Sequence, residues 1–451
     1  MTYKPRTYVV TTAQRGALPN WEFLESLQTY CKHNQAEMLI LPTNGKFPSS
    51  TKEDQEEILH PYLQEHFQVV DHDFKLNKKI DIRNFPTKAQ QMIPLTSWGR
   101  FVQYDKSAIM ASPKLMQKCY ANSNCQLPKI LMSTGAVTRP NYKDNAWGAK
   151  ARLDHRYAAI VVEVKDANSF HYRQLVSNDN GIFYDLGWKY DGKNKPEKES
   201  VEALILGDVH VGLTDPAVVT ATRRLIQELT PKNIIYHDLF DCYSVNHHHE
   251  DDLIIQAQKA RNGTDNLEDE IRKVGEFLIE TGKIAGPDTQ HRVVKSNHDE
   301  ALDRYLKEGR FAKDPKNVVF AAQLLPNAVS EKIDNLEYAI RVAYGELPRN
   351  FVFLSPNEDF KIKGWQLASH GHKGPRGKRG SVRSLETALG RAMIGHFHTP
   401  EIFRDIWAVG TSTVLDMYYT RGTPSDWVQG HGILHPNGKP QLINIIEGEY
   451  R

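Results

Sequence analysis

From Val201 onward the chain alternates short apolar runs with amphipathic stretches, and this rhythm constrains its fold more than any other feature. Val201 to Leu206 is an apolar-rich run of strand length that ends in Gly207-Asp208. Asp215-Pro216 then supplies an N-cap and a first-turn proline for a helix whose apolar face includes Val218, Leu225 and Leu229. Ile234-Ile235-Tyr236 reads as the next strand. Asn266 to Ile284 carries Leu267, Ile271, Val274 and Leu278 at helical spacing and leads into Val293-Val294. Strand, helix, strand, helix, strand predicts a βαβ arrangement. Further strands are expected at Val318 to Phe320, Phe351 to Phe353, Trp365 to Ala368, Ala392 to Ile394 and Trp407 to Val409. Near the end, Gly432 to His435 and Gln441 to Asn444 flank Asn437-Gly438, an Asn-Gly hairpin turn.

The segments just after these runs are chemically distinctive. Five short clusters appear in order: Asp208-Val209-His210, His237-Asp238-Leu239-Phe240-Asp241, Ser296-Asn297-His298-Asp299, His370-Gly371-His372 and Gly395-His396-Phe397-His398. In open α/β sheets such groups gather beyond the carboxyl ends of strands, where loops converge on fixed roots. Asp-x-His in an extended segment sends both side chains to one face, and His-x-His does the same. Carboxylates, imidazoles and one amide oxygen suit divalent ions such as Mn, Fe or Zn. The lack of thiolate argues against a structural zinc.

At 451 residues the chain is long enough for two or three domains. The clearest boundary is the polar stretch Lys189 to Ser200, read as a linker or long surface loop, which divides the chain into 1–195 and 196–451. The first part opens α/β, with Tyr8 to Val10 and Met38 to Leu41 as strands around a helix from Asn20 to Ala36. It closes β-rich, at Ala158 to Val164, His171 to Val176 and Ile182 to Tyr184. It has no glycine-rich phosphate loop and no nucleophile context; Thr43 to Lys46 reads as a turn. Its expected role is accessory: assembly into a homo-oligomer, or substrate binding.

Composition narrows the setting. Fifty-seven basic against 55 acidic residues leave a formal charge of +2, so any affinity for phosphate must be local. No apolar run reaches the roughly 20 residues needed to span a bilayer, and the start lacks a signal peptide's apolar stretch; a cytoplasmic protein without a membrane partner is expected. Cys31, Cys119, Cys125 and Cys242 lack zinc-finger spacing and are expected to be reduced thiols.

The five clusters together resemble the motifs of the calcineurin-like metallophosphoesterases: Asp-x-His, Gly-Asp-x-x-Asp, Gly-Asn-His-Asp/Glu, a lone His and Gly-His-x-His. His237 and Ser296 stand where the second and third motifs have glycine. The resemblance implies a two-sheet α/β sandwich for 196–451, preceded by a separate N-terminal α/β domain. It also implies two divalent ions, Mn foremost with Mg, Fe or Zn as options. Asp208, His210 and His398 would hold one ion, Asn297, His370 and His396 the other, with Asp238 bridging. Ions about 4 Å apart can share a hydroxide nucleophile and clamp a phosphate. His298 is then placed as catalytic acid or transition-state stabiliser, with Asp299 orienting it or capping a helix, and Asp241 either supports a ligand or is a loop carboxylate.

The segment from His370 through Tyr418-Tyr419-Thr420-Arg421-Gly422 to the final hairpin is also similar to phage-encoded metallophosphoesterases. Their DNA-processing relatives include SbcD-like double-strand-break nucleases and phage early-infection DNA-degrading proteins. Next to His370, the loop Lys373-Gly374-Pro375-Arg376-Gly377-Lys378-Arg379-Gly380-Ser381-Val382-Arg383 places five cations where they can meet flanking phosphates. The expectation is a nuclease acting on DNA in a host cytoplasm. A phosphatase or small-molecule phosphodiesterase, including one for cyclic nucleotides, is the alternative. His247-His248-His249 is read as a polar loop near the site, leading into a helix at Leu253 to Lys259.

Overall fold

The computed structural model describes residues 5–46, 58–102, 106–122, 129–356, 358–417 and 420–451. Cys125, Tyr418 and Tyr419 lie outside them. The expected βαβ rhythm forms one six-stranded sheet. Its order is Phe351–Leu354, Gln290–Val294, Asn233–Tyr236, Ala203–Ile205, Gly430–Leu434 and Pro440–Asn444. The first four strands are parallel, and the terminal hairpin adds antiparallel to Ala203–Ile205. All four parallel strands therefore end at the same edge.

Helices cover one face of this sheet. The Pro216–Leu229 helix is capped by Asp215, whose side chain accepts from the Ala217 N–H, and buries Val218, Leu225 and Leu229 as the spacing predicts. Leu267–Ala285 buries Leu267, Ile271, Val274 and Leu278 beside it. Each such aliphatic side chain contributes about 1.5–3 kcal/mol by leaving water. Val318 to Phe320, expected as a strand, instead opens the Val318–Ser330 helix. The apolar run continues into Ala321 and Leu324, which with Phe320 give a buried stripe at helical spacing.

The other face packs on a ten-stranded sheet, which takes in the expected strands near Trp365, Ala392 and Trp407 but also an N-terminal half that sequence patterning did not foresee. Its order runs Lys361–Ile362, Trp365–Gln366, Ala392–Ile394, Ile406–Ala408 and Glu401–Phe403, then Leu115–Tyr120, Lys129–Thr134, Ser107–Met110, Ile80–Arg83 and Phe74–Lys75. The halves join where Ile402 and Phe403 pair with Gln117 and Met116. Strands from both sides of residue 195 thus share one hydrogen-bonded sheet, so the N-terminal region does not form a separate body. A further five-stranded sheet, Phe170–Val176, Ala158–Val164, Arg6–Gln14, Glu37–Thr43 and Gln68–Val69, meets the terminal hairpin at its edge. There Gln174 Oε1 accepts from the Leu442 N–H and Gln441 Nε2 donates to the Gln174 carbonyl. One core spans these sheets, uniting Val10, Ile160 and Tyr172 with Ile205, Met393 and Trp407.

The stretch 189–200 is not a free linker. Trp188–Tyr190 and Glu197–Lys198 pair in a three-stranded sheet with Phe183–Asp185. Tyr190, overlooked in a charged run, is buried and stacks on Phe183 at 5.2 Å between ring centroids.

Candidate metal centre

The site lies at the edge where the parallel strands end. Leu206, Val209, His210 and Val211 donate in turn to the carbonyls of Ile235, His237, Asp238 and Leu239, so the first two loops leave the sheet side by side. Thr411 Oγ1 and the Ser412 N–H both donate to the Asp208 carbonyl, strapping the first loop to the segment after Val409. Two glycines permit this convergence. A Cβ on Gly207 would stand 2.3 Å from the Gly430 carbonyl oxygen, and one on Gly395 would stand 2.3 Å from Asp208 Oδ1.

The side chains do not converge by strand alternation as expected. His210 (φ 47°), Asp238 (φ 42°), His396 (φ 76°) and His398 (φ 56°) all adopt left-handed backbone, which non-glycine residues rarely do. The strands stop before these positions, and the tight turns aim each side chain inward. Four such residues in one cluster store strain that points to a functional constraint.

Three groups of ligand atoms result, two of them sharing Asp238 and the third joining His210, Asp241 and His298. Asp208, His210, Asp238 and His398 form the first; Asp238, His370 and His396 form the second. His398 Nε2 lies 3.1 Å from Asp208 Oδ2 and 3.2 Å from His210 Nε2, and His370 Nε2 lies 3.1 Å from Asp238 Oδ2. Ligands bonded at about 2.1 Å to one ion stand about 3.0–3.4 Å apart at octahedral to tetrahedral angles, so these spacings fit shared cations. Both carboxylate oxygens of Asp208, Asp238 Oδ1, Asn297 Oδ1 and His398 Nδ1 are buried without a hydrogen-bond partner. A native interior rarely leaves so many polar atoms unmatched, and divalent ions would satisfy them. The donor set of imidazole, carboxylate and amide oxygen therefore fits the expected ions.

The electrostatics carry the same imprint. Burial, reinforced by the charge of Asp238, raises the Asp208 carboxyl well above its ordinary range. Burial also opposes ionisation of Asp238, but His370, His298 and His210 outweigh it and hold that carboxyl well below its ordinary range. Burial pushes His396 down to about 3 and His398 down to about 4, which keeps both as neutral ligands.

Supporting residues fix the ligands. His210 Nδ1 meets Asp241 Oδ1 at 2.7 Å, an arrangement that assigns the proton to Nδ1 and leaves Nε2 for a cation. Asp241 is thus hydrogen-bonded to a candidate ligand rather than standing as a free loop carboxylate. His298 Nδ1 donates to the Asp241 carbonyl at 2.7 Å, freeing Nε2, and its ring stands edge-on to His210 with centroids 4.6 Å apart. Burial disfavours charge on His298, but Asp238 and Asp241 prevail and raise it to about 9. Asp299 does not meet His298 through a hydrogen bond. Its Oδ2 accepts from the Ser296 N–H while Ser296 Oγ accepts from the Asp299 N–H, a capping box that starts the Asn297–Lys307 helix. The serine standing for glycine therefore has a purpose of its own: it caps the helix that presents Asn297 and His298.

Two neighbours, His431 and Trp427, carried no sequence signal. His431 Nδ1 accepts from the Gly207 N–H and its Nε2 meets Thr222 Oγ1, which anchors the first loop. Trp427 stands edge-on to His398 at 4.1 Å. His237 is fully buried with its Nδ1 3.4 Å from that of His370. Around the basic loop, Glu300 pairs with both Lys373 and His372, and Arg383 lies over the Phe403 ring at 5.4 Å. Arg376, Lys378 and Arg379 are exposed. His247–His249 forms a short 3-10 turn in which His249 packs against Tyr243 and His247 meets Arg304; none joins the ligand groups.

No family model matches the chain. It is 28% identical over 470 residues to Protein A1 of Escherichia phage T5, an alignment covering 99% of this chain and 83% of that protein. The chain is thereby related to a phage protein along nearly its whole length. Among the described residues, no helix is long and apolar enough to cross a membrane.

Proposed function

We infer that this chain is a two-metal phosphodiesterase of the calcineurin-like type that hydrolyses DNA, encoded by a phage and active in its host's cytoplasm. One observation carries the reading: two ligand groups share Asp238 and leave the inward-facing oxygens of Asp208, Asp238 and Asn297 unpartnered. Two divalent ions, Mn foremost, would supply Lewis acidity to a phosphate and acidify a water molecule. Asp208, His210 and His398 would hold one, Asn297, His370 and His396 the other, with Asp238 between. His298, tethered by the Asp241 carbonyl and charged by its neighbours, is the group that protonates a departing oxygen. Arg376, Lys378 and Arg379, exposed on a loop rooted beside His370, favour a polyanionic substrate over a lone phosphate.

The test uses metal-stripped protein returned to Mn or Mg, with linear duplex DNA, a cyclic nucleotide and an aryl phosphate as substrates. Metal-dependent DNA cleavage is expected, lost in Asp238→Ala and His298→Ala. Rapid aryl phosphate turnover with intact DNA would overturn the substrate assignment.

A further inference from the structure

A cavity of about 890 Å³ opens between the two halves of the chain, within the range of about 300–1,000 Å³ that small-molecule sites occupy. The end of the Ala146–Asp154 helix and the residues through Tyr157 line it from the N-terminal half. Gly390-Arg391, Arg404-Asp405 and Gly438-Lys439 line it from the C-terminal half. Arg391 and Asp405 directly precede the parallel strands Ala392–Ile394 and Ile406–Ala408, whose far ends lead into Gly395-His396 and Val409-Gly410. The cavity therefore lies at the opposite end of these strands from the metal ligands and is separate from them.

Its lining carries positive charge that the chain does not match. Six cations, Lys150, Arg152, Arg156, Arg391, Arg404 and Lys439, face four carboxylates. Arg404 reaches Asp154 at 3.3 Å and Glu386 at 3.0 Å, and Arg156 and Arg391 share Asp405 at 3.0 Å and 3.7 Å. Lys439 is half-buried, yet among the described residues its ammonium has no ion pair and no hydrogen bond, the fourth carboxylate, Asp179, included. Burial lowers its pKa, and the charges of Arg156 and Arg391 add to this while Asp179 and Asp405 oppose it. An ammonium held partly out of water without a counter-charge is costly, and an anion from outside would remove that cost. The cations are also held in place. The Lys439 N–H donates to Asn437 Oδ1 at 3.1 Å, and Asn437 Nδ2 donates to the Ile182 carbonyl at 3.0 Å, so the turn bearing Lys439 is rooted in the N-terminal half. Trp365 Nε1 donates to the Gly438 carbonyl at 2.9 Å, and Arg391 rests over the Trp365 ring at 5.8 Å. Arg156 Nη1 donates to the Leu153 and His155 carbonyls at 2.6 Å and 3.1 Å. Fixed guanidinium forks beside a lysine point charge suit a tetrahedral oxyanion, and a doubly charged phosphate answers several cations better than a singly charged carboxylate does.

We propose that this cavity is a second binding site, one for a small phosphate-bearing anion held by Lys439, Arg156 and Arg391. The site does not depend on the hydrolase reading. Its volume admits free phosphate or a mononucleotide, and the test separates these sources. The full chain, kept metal-free in chelator, is titrated by calorimetry with inorganic phosphate, deoxyadenosine monophosphate and deoxyadenosine. One phosphate-bearing molecule is expected to bind per chain, and deoxyadenosine is not expected to bind. Tighter binding of the monophosphate would identify a nucleotide as the occupant and equal binding the phosphate group alone; either result supports the site. Lys439→Gln should weaken binding by about tenfold or more, the usual loss with a charge-assisted hydrogen bond, and Lys439→Arg should restore most of it. Because the ammonium is unpaired when the cavity is empty, ligand-free Lys439→Gln should melt no lower than the parent. Asp238→Ala, altered at the other end of the strands, should bind both phosphate probes as the parent does. A parent that binds neither phosphate probe, or a Lys439→Gln chain that binds them unchanged, would overturn the site. So would binding lost in Asp238→Ala, which would assign the anion to the metal centre, or a ligand-free Lys439→Gln chain that melts well below the parent.

Discussion

Two buried acidic centres in this chain are built from similar residues and resolve their charge in opposite ways. Asp185, in the N-terminal region, accepts from Arg173 Nε at 2.7 Å, Arg173 Nη2 at 2.9 Å, Tyr30 OH at 2.8 Å and Gln441 Nε2 at 3.0 Å. Arg173 also reaches Glu163 at 2.7 Å. Burial alone would raise the Asp185 carboxyl, yet Arg173 outweighs it and the group sits below its ordinary range. Asp208 is equally hidden, has no hydrogen bond on either oxygen and sits above that range. One centre is closed by its own side chains. The other leaves buried oxygens that cations from outside could satisfy, and this difference marks it as a candidate binding site without reference to any motif.

The largest expected effect breaks the open centre. Asp238→Ala removes the residue common to both ligand groups, and metal-dependent hydrolysis should fall at least about ten-thousandfold, more than about 5 kcal/mol of barrier, in single-turnover assays. Its fold should survive, because among the described residues only histidines meet that carboxylate. Next comes the closed centre. Arg173→Met strands the buried Asp185, takes a partner from the half-buried Glu163 and should cost about 3–5 kcal/mol in urea unfolding, the same with or without Mn. Equal metal dependence of the two variants' stability would erase the distinction.

The comparison sharpens with pH. A carboxyl raised in the folded state binds its proton more tightly there than in the unfolded chain. The contribution of each such carboxyl to metal-free stability should therefore fall as pH rises from about 4 towards neutrality, a tenfold difference in proton affinity being worth about 1.4 kcal/mol. Asp208, Asp299 and Glu270 all contribute with this sign. Relative to the parent, Asp208→Asn should remove this group's falling contribution from the metal-free protein and abolish the stabilisation expected from Mn, both read by thermal melts. A steeper fall in the variant would reverse the assignment. A smaller effect is expected for Asp241→Asn, which unsettles the proton on His210: Mn affinity by calorimetry should weaken about 10- to 100-fold.

Legibility followed locality. Val201–Leu206, the Asp215 cap and the Leu267 stripe were readable because their signals lie within one turn or strand. The candidate ligand clusters were readable because most of them closely follow such a strand. Val318 to Phe320 misled because three residues cannot distinguish a strand from the first turn of a helix. The union of Glu401–Phe403 with Leu115–Tyr120 had no local mark, since strand pairing between segments so distant in sequence leaves no periodicity of its own. Left-handed backbone at His210, Asp238, His396 and His398 was also hidden, because glycine would have announced those turns and these residues do not.

Exposed charge supplies a third case, intermediate between the two centres, and the smallest effect. Arg376, Lys378 and Arg379 stand on a loop pinned by the Gly374 N–H to the Lys378 carbonyl and by the Gly380 N–H to that of His372. Arg376 itself has a φ of 62°, so the backbone shape is held by neighbours rather than by the cation. Unlike Asp208, these groups are exposed and cost nothing unpaired; under the proposed function they would act only when a polyanion arrives. Each of Arg376→Gln, Lys378→Gln and Arg379→Gln should leave the melting temperature in place and weaken duplex DNA binding by up to about fivefold, about 0.2–1 kcal/mol. The salt slope of log K should shrink by about 0.9 for each phosphate that loses its cation. Because screening reaches this loop but not the buried ligands, high salt should erase the difference between these variants and the parent while leaving the Asp238→Ala defect intact. A loop variant whose defect persists at high salt would place that cation inside the site, against the exposure seen for it.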